Sequence, residues 1–200
     1  MKNKMIVGLT GQSGAGKSTV AGFLAENGLK IINADMLVAE IYSSDSPCLK
    51  TIASCFGNDI IIDGVLNRKI LAERAFSSKE NTKLLSSIVH PFVTAEFCKA
   101  AKTFFASGEN IVVYDAPQLF ESNFDVACRL IVSVVCNRQT RIQRICVRDS
   151  ITEKEALMRI NAQLDEDFFK ENSDIILENN GTKQELLQAS AQLIERLKQR

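Results

Sequence analysis

Gly11-Gln12-Ser13-Gly14-Ala15-Gly16-Lys17-Ser18 satisfies the pattern G-x-x-x-x-G-K-[ST] in full. Its neighbours make the reading decisive. The apolar run Met5-Ile6-Val7-Gly8-Leu9 before it reads as a buried strand. Thr19-Val20-Ala21-Gly22-Phe23-Leu24 after it reads as an amphipathic helix, with apolar residues at i, i+3 and i+4. A glycine-rich turn between strand and helix can wrap a phosphate with backbone N–H groups that no side chain blocks. The helix N-terminus adds the positive end of its dipole. In such a loop Lys17 reaches the β- and γ-phosphates and the Ser18 hydroxyl ligates Mg²⁺. The stretch implies a nucleoside triphosphate site.

Working outward, apolar strands alternate with helices. Lys30-Ile31-Ile32-Asn33-Ala34-Asp35 reads as a short strand ending in a carboxylate. Later strands are expected at Asn110–Asp115, Leu130–Val135 and Asp174–Glu178. Near-continuous β-branched runs suit strands covered on both faces, hence a parallel sheet. The expected architecture is α/β, a doubly wound parallel sheet of about five strands of the P-loop NTPase or kinase type.

Between Met36 and Gly108 the alternation gives way to a mostly helical pattern. Ser46-Pro47 reads as an N-cap followed by proline at the first helical position. Ile60-Ile61-Ile62-Asp63-Gly64 reads as a short apolar piece closed by a turn, and a helix is expected on each side of His90-Pro91. The block is long for a crossover and reads as an inserted helical subdomain. Thr152-x-x-Glu155 and Thr182-x-x-Glu185 are capping boxes that each open a helix. The expected layout is one kinase domain. Its core covers 1–35, 109–137 and 173–200, the helical substrate-binding insertion about 36–108, and the helical lid about 138–172.

Bulk properties narrow the partners. Across 200 residues, 24 Lys and Arg balance 24 Asp and Glu, which argues against a broad nucleic-acid face. No apolar run reaches the ~18–20 residues that span a bilayer. The N-terminus runs straight into the first strand and leaves no room for a leader, so the cytoplasm is the expected compartment and a monomer the expected state. The six cysteines, Cys48, Cys55, Cys98, Cys128, Cys136 and Cys146, form no C-x-x-C pair and read mostly as small buried hydrophobes, reduced.

A phosphate loop alone does not separate a kinase from a GTPase switch or a motor. A guanine-reading N-K-x-D is missing where Asn137-Arg138-Gln139-Thr140 stands, and Asp115-Ala116-Pro117-Gln118 replaces the D-x-x-G of a switch. A small kinase fits better. Asp35 would then be a general base toward an attacking hydroxyl, or else an ordinary helix N-cap. Asp115 reads either as a Walker-B-like carboxylate, holding Mg²⁺ directly or through water, or as a turn residue before Pro117. Arg141, Arg144 and Arg148 share one helix face, which suits either a lid over the transferring phosphate or a solvated basic face.

Taken in order, the short motifs resemble the dephospho-coenzyme A kinase family over nearly the whole chain. They are Thr10–Thr19, Asn33-Ala34-Asp35, Phe56-Gly57, Asp63-Gly64-x-Leu66-x-Arg68, His90-Pro91 and Asp115-x-Pro117-x-Leu119-Phe120-Glu121. Gln143-Arg144-x-x-x-Arg148-Asp149, Arg159-Ile160-x-x-Gln163 and Asn179-Asn180-Gly181 complete the set. The resemblance implies transfer of the ATP γ-phosphate to the ribose 3′-hydroxyl of dephospho-coenzyme A, with Mg²⁺. It implies nucleotide contacts from Gly14, Ala15, Gly16, Lys17, Ser18 and Thr19, with Asn180 and Gly181 near adenine. It further implies Asp35 as base or acceptor-orienting group, Arg141 and Arg144 as lid phosphate contacts, and Arg68 and His90 in the substrate domain. Ser18 and Asp115 would face the metal. The chain departs from the family pattern at Asn33 and Asn67, where aspartates are usual, and at Leu164-Asp165, where Met-Pro is usual. The alternatives are another small-molecule P-loop kinase, of nucleoside monophosphate, shikimate or gluconate type, and a nucleotide-binding regulatory protein.

Overall fold

The computed structural model describes residues 4–43 and 45–199. It divides into two units, Met1–Ile32 with Phe104–Arg200, and Asn33–Thr103. The first unit carries a five-stranded sheet in the order β2-β5-β1-β6-β7. Its strands are β1 (Met5–Gly11), β2 (Lys30–Asn33), β5 (Ile111–Asp115), β6 (Leu130–Val135) and β7 (Ile175–Glu178). β1 pairs in parallel with β5 and β6, and β6 with β7. Val112, Val113, Val132, Val134 and Val135 are fully buried, which is why these strands read as unbroken apolar runs. The chain leaves β1 toward one side of the sheet and returns to its other side at β6. That reversal makes the C-terminal end of β1 the switch point where ligands of such sheets collect.

Helix α1 (Lys17–Glu26) follows the phosphate loop, and α9 (Lys183–Lys198) packs beside it. Val7, Leu9, Val20, Leu24, Val132, Leu193 and Leu197 share one core between sheet and helices. α6 (Arg138–Asp149) and α7 (Glu153–Asn161) form a hairpin with its own small core of Ile142, Ile145, Ala156 and Ile160. The short α8 (Glu166–Glu171) follows. Both expected capping boxes are present, at Thr152 with Glu155 opening α7 and at Thr182 with Glu185 opening α9.

The second unit contains α2 (Ala34–Ile41), α3 (Pro47–Phe56), α4 (Arg68–Ala75) and most of α5 (Lys79–Ala106), with a two-stranded antiparallel hairpin, β3 (Ile61–Ile62) and β4 (Val65–Leu66). Ser46 caps α3 as expected, accepting the Leu49 N–H at 3.0 Å. Two expectations fail here. The strand ending in Asp35 stops at Asn33, because the Asn33 side chain accepts the Met36 N–H and opens α2 two residues earlier. Asp35 therefore lies in the first helical turn, and the cap is Asn33. A break at His90-Pro91 does not occur either, since α5 runs through it for 28 residues. Val89, Val93, Phe97 and Ala101 form an unbroken buried stripe across the proline, and that burial outweighs one lost backbone hydrogen bond.

The cysteines are less uniformly buried than expected. Cys48 and Cys136 are buried, but Cys55 and Cys98 are exposed on helix faces. Among the described residues no helix is long and apolar enough to cross a membrane.

Candidate functional site

The phosphate loop begins where β1 ends and closes on Gly16, which precedes α1 with φ +104°. No side chain among the described residues caps α1, so its first N–H groups are directed out of the helix without an intrahelical partner. A Cβ at residue 16 would collide with the Asn179 amide nitrogen, and glycine alone accommodates both that approach and the left-handed backbone.

The loop carbonyls are each claimed by a donor. Gln12 O accepts the Ala15 N–H at 3.0 Å, and Gly16 O accepts Thr19 N–H at 3.0 Å. Between them, three side chains take one oxygen apiece. Arg141 Nε donates to Ser13 O at 2.9 Å, Arg144 Nη1 to Gly14 O at 3.4 Å, and Asn179 Nδ2 to Ala15 O at 2.7 Å. With its oxygens held by the scaffold, the loop is left to present the amide hydrogens other than those of Ser13 and Ala15, the arrangement an anion requires. Arg141 is only 4% exposed, and burial pulls its guanidinium below the ordinary value. Arg141 and Arg144 thus grip the loop itself. Arg148 faces elsewhere and forms a bidentate pair with Asp149, at 2.7 and 2.9 Å.

Lys17 Nζ is ion-paired to Asp115 at the end of β5. The pair keeps the lysine at the mouth of the loop, and the carboxylate supplies hard oxygen atoms of the kind Mg²⁺ prefers. Ser18 is exposed one residue further along α1. A cavity of about 680 Å³ opens beside the loop, bordered by Gln12, Arg138, Arg141, Asn161, Gln163 and Glu166. Gln12 is 3% exposed, and its buried amide oxygen finds no donor among the described residues. Asn180 Oδ1 accepts the Asn137 N–H at 2.8 Å, which ties the turn after β7 to the start of α6.

Two residues at this site escaped the sequence reading as side chains with a role. Gln163 Oε1 accepts the Ser13 N–H and an Arg141 Nη2 hydrogen, both at 3.0 Å. Asn179, 6% exposed, braces Ala15. Both stood inside recognised motifs, but only the three-dimensional contacts assign them a partner.

In the helical unit, Asp35 and Arg68 are exposed in the first turns of α2 and α4, and His90 is half-buried within α5. No hydrogen bond or ion pair engages these three side chains among the described residues. Arg68 lies close enough to Tyr42 to oppose the upward shift of its hydroxyl, which burial nevertheless pushes up to about 12. Asn67 caps α4 through the Lys69 and Ile70 N–H groups, so the asparagine at this family aspartate position does a cap's work. A second cavity of about 240 Å³, bordered by Glu40, Cys48, Phe92 and Glu96, includes none of the three.

Comparison with known proteins decides between kinase types. The family model of dephospho-CoA kinase matches residues 5–185. The chain belongs to the dephospho-CoA kinase family. It is 36% identical over 189 residues to a dephospho-CoA kinase of Corynebacterium glutamicum, covering 94% of each chain. It is 35% identical over 175 residues to one of Listeria monocytogenes, covering 87% of this chain and 88% of that one. A Thermus thermophilus protein of known crystal structure superposes with a TM-score of 0.84 at 28% identity, over 98% of this chain and 99% of the other. A shikimate kinase of Bacteroides thetaiotaomicron superposes at 0.55 with 14% identity, over 97% of this chain and 98% of the other, a likeness of fold alone. Membership makes the chain a kinase, and the family's reaction is ATP-dependent phosphorylation of dephospho-coenzyme A in coenzyme A biosynthesis.

Proposed function

We propose that the phosphate loop of the first unit holds the ATP phosphates while the helical unit presents dephospho-coenzyme A through its ribose 3′-hydroxyl. The observation that carries the nucleotide half is the loop with every carbonyl from Gln12 to Gly16 engaged, leaving amide hydrogens for an anion. Phosphoryl transfer needs charge stabilisation and in-line positioning more than covalent chemistry. Gly14, Ala15, Gly16, Lys17, Ser18 and Thr19 supply the cradle, with Asn180 and Gly181 toward the base. Lys17 exchanges its Asp115 partner for a phosphate oxygen when ATP arrives. Arg141 and Arg144, held at the loop edge, offset charge that spreads over the transferring group.

Asp35 receives the 3′-hydroxyl proton or orients that hydroxyl. Its exposure, with no hydrogen-bond or ion-pair partner among the described residues, suits a carboxylate whose partner is the substrate. Arg68 and His90 contact the acceptor in the same unit. Ser18 and the Asp115 carboxylate offer oxygen ligands that fit Mg²⁺, which would supply charge neutralisation at the phosphates when bound. For the rest we propose what the sequence leads one to expect: a substrate-binding insertion at about 36–108, a lid at about 138–172, and a cytoplasmic monomer acting on small molecules without nucleic acid.

The test is a coupled ADP-release assay with dephospho-coenzyme A, adenylate, shikimate and gluconate as acceptors. Turnover is expected with dephospho-coenzyme A alone. Equal turnover with the other acceptors and none with dephospho-coenzyme A overturns the proposal.

A further inference from the structure

Ser13 is gripped on both sides of its backbone by the same pair of side chains. Its carbonyl accepts Arg141 Nε at 2.9 Å, and its N–H donates to Gln163 Oε1 at 3.0 Å. The two side chains are themselves joined, since Arg141 Nη2 donates to that same Gln163 oxygen at 3.0 Å. One amide oxygen therefore takes two donors and closes a ring through the loop residue, the arginine and the glutamine. The guanidinium fork is what permits it, because its Nε and Nη2 hydrogens point the same way at fixed separation.

Gln163 comes to this position on a stiff support. α6 and α7 are tied together by Arg159 on Asp149 and by Arg138 Nη2 on Asn161 Oδ1 at 2.6 Å. They share a small apolar core. Gln163 follows α7 directly, with its own N–H held by Ile160 O at 3.2 Å. Arg141 stands on α6 of the same hairpin, so a shift of the hairpin would withdraw the Gln163 oxygen and the Arg141 Nε from Ser13 together.

We propose that Gln163 is a positioning residue for phosphoryl transfer, which fixes the first half of the phosphate loop and the direction of Arg141 through a single bridging acceptor. It acts through Ser13 and Arg141. The claim rests on the loop being the ATP site. It does not depend on which acceptor is used, and ATP binding in the absence of any acceptor keeps the two questions apart.

Both partners of the Gln163 oxygen are donors, so chemistry at this position needs an acceptor and nothing else. Q163M keeps the length of the side chain and removes the amide oxygen. Its ATP affinity should fall about tenfold, the usual consequence of orphaning a buried donor, and kcat roughly 10–100-fold from the misplaced arginine. The thermal midpoint should stay near that of the wild type. Q163E keeps the acceptor but adds charge beside the triphosphate, so it should recover most of the lost kcat while KM for ATP stays raised. In R141M/Q163M the combined loss should fall short of the product of the single losses, because the two side chains act as a unit. Wild-type kinetics in Q163M, a kcat in Q163E as low as in Q163M, or fully multiplicative losses in the double variant each overturn the proposal. Should Q163M fail to fold, Q163A, which also removes the amide oxygen, takes its place and the same three outcomes decide.

Discussion

The phosphate loop and the helical unit place their candidate residues in opposite ways. In the loop, every carbonyl from Gln12 to Gly16 has a protein donor, and Arg141 and Arg144 of α6, Gln163 after α7 and Asn179 after β7 surround the backbone. In the helical unit, Asp35 and Arg68 stand exposed at helix starts, and neither they nor His90 has a protein hydrogen-bond partner among the described residues. The first is preorganised, as the proposed phosphate site requires. In the proposed function, the partners of the second come with the substrate. A triphosphate has the same shape in every turnover and can be met by a fixed cradle, whereas a long acceptor needs surface left open for it.

The sharpest break of this contrast is D35N. It should lower kcat by ~10²–10⁴-fold, the usual worth of general-base help, while ATP affinity in a binding titration stays near that of the wild type. An unchanged kcat returns Asp35 to an ordinary first-turn helix residue. G16A probes the other side. Its Cβ meets the Asn179 amide in a backbone that already disfavours a side chain, so ATP affinity should drop by about 10–100-fold. Retained affinity would mean that the loop is softer than its contacts indicate.

The smallest effect concerns the hairpin. Arg148, then Arg159, hold the Asp149 carboxyl below the usual range. A depressed carboxylate contributes stability above its unfolded pKa, near 3.9, and that contribution disappears as pH falls through the lower folded value. The acid limb of thermal stability should therefore be shallower in D149N than in the wild type. An acid limb identical to that of the wild type would show that the clamp adds nothing to the fold.

Much of this was legible along the chain. The loop, β5, β6, the capping boxes and Ser46-Pro47 depend on residues close in sequence, and local rules read such signals well. The same rules failed at Pro91, where the buried stripe from Val89 to Ala101 carries α5 through a helix breaker. They also failed at Asp35, because Asn33 is an equally good cap two residues earlier and nothing local ranks the two. The arginines of α6 could be placed on one face, yet spacing did not reveal that Arg141 is buried against Ser13 while Arg148 turns to Asp149.

By itself the sequence determined that a triphosphate loop sits between a buried strand and a helix, that the sheet is parallel, and to which family the order of motifs points. Those properties follow from period, backbone freedom and residue chemistry within short windows. Only the tertiary structure decided what holds the loop. Asn179 and Gln163 lie 164 and 150 residues from their partners Ala15 and Ser13, and their hydrogen bonds exist because β7 and α7 bring them there. No local pattern encodes a donor's direction across such a distance, since it is set by how the sheet and the hairpin pack.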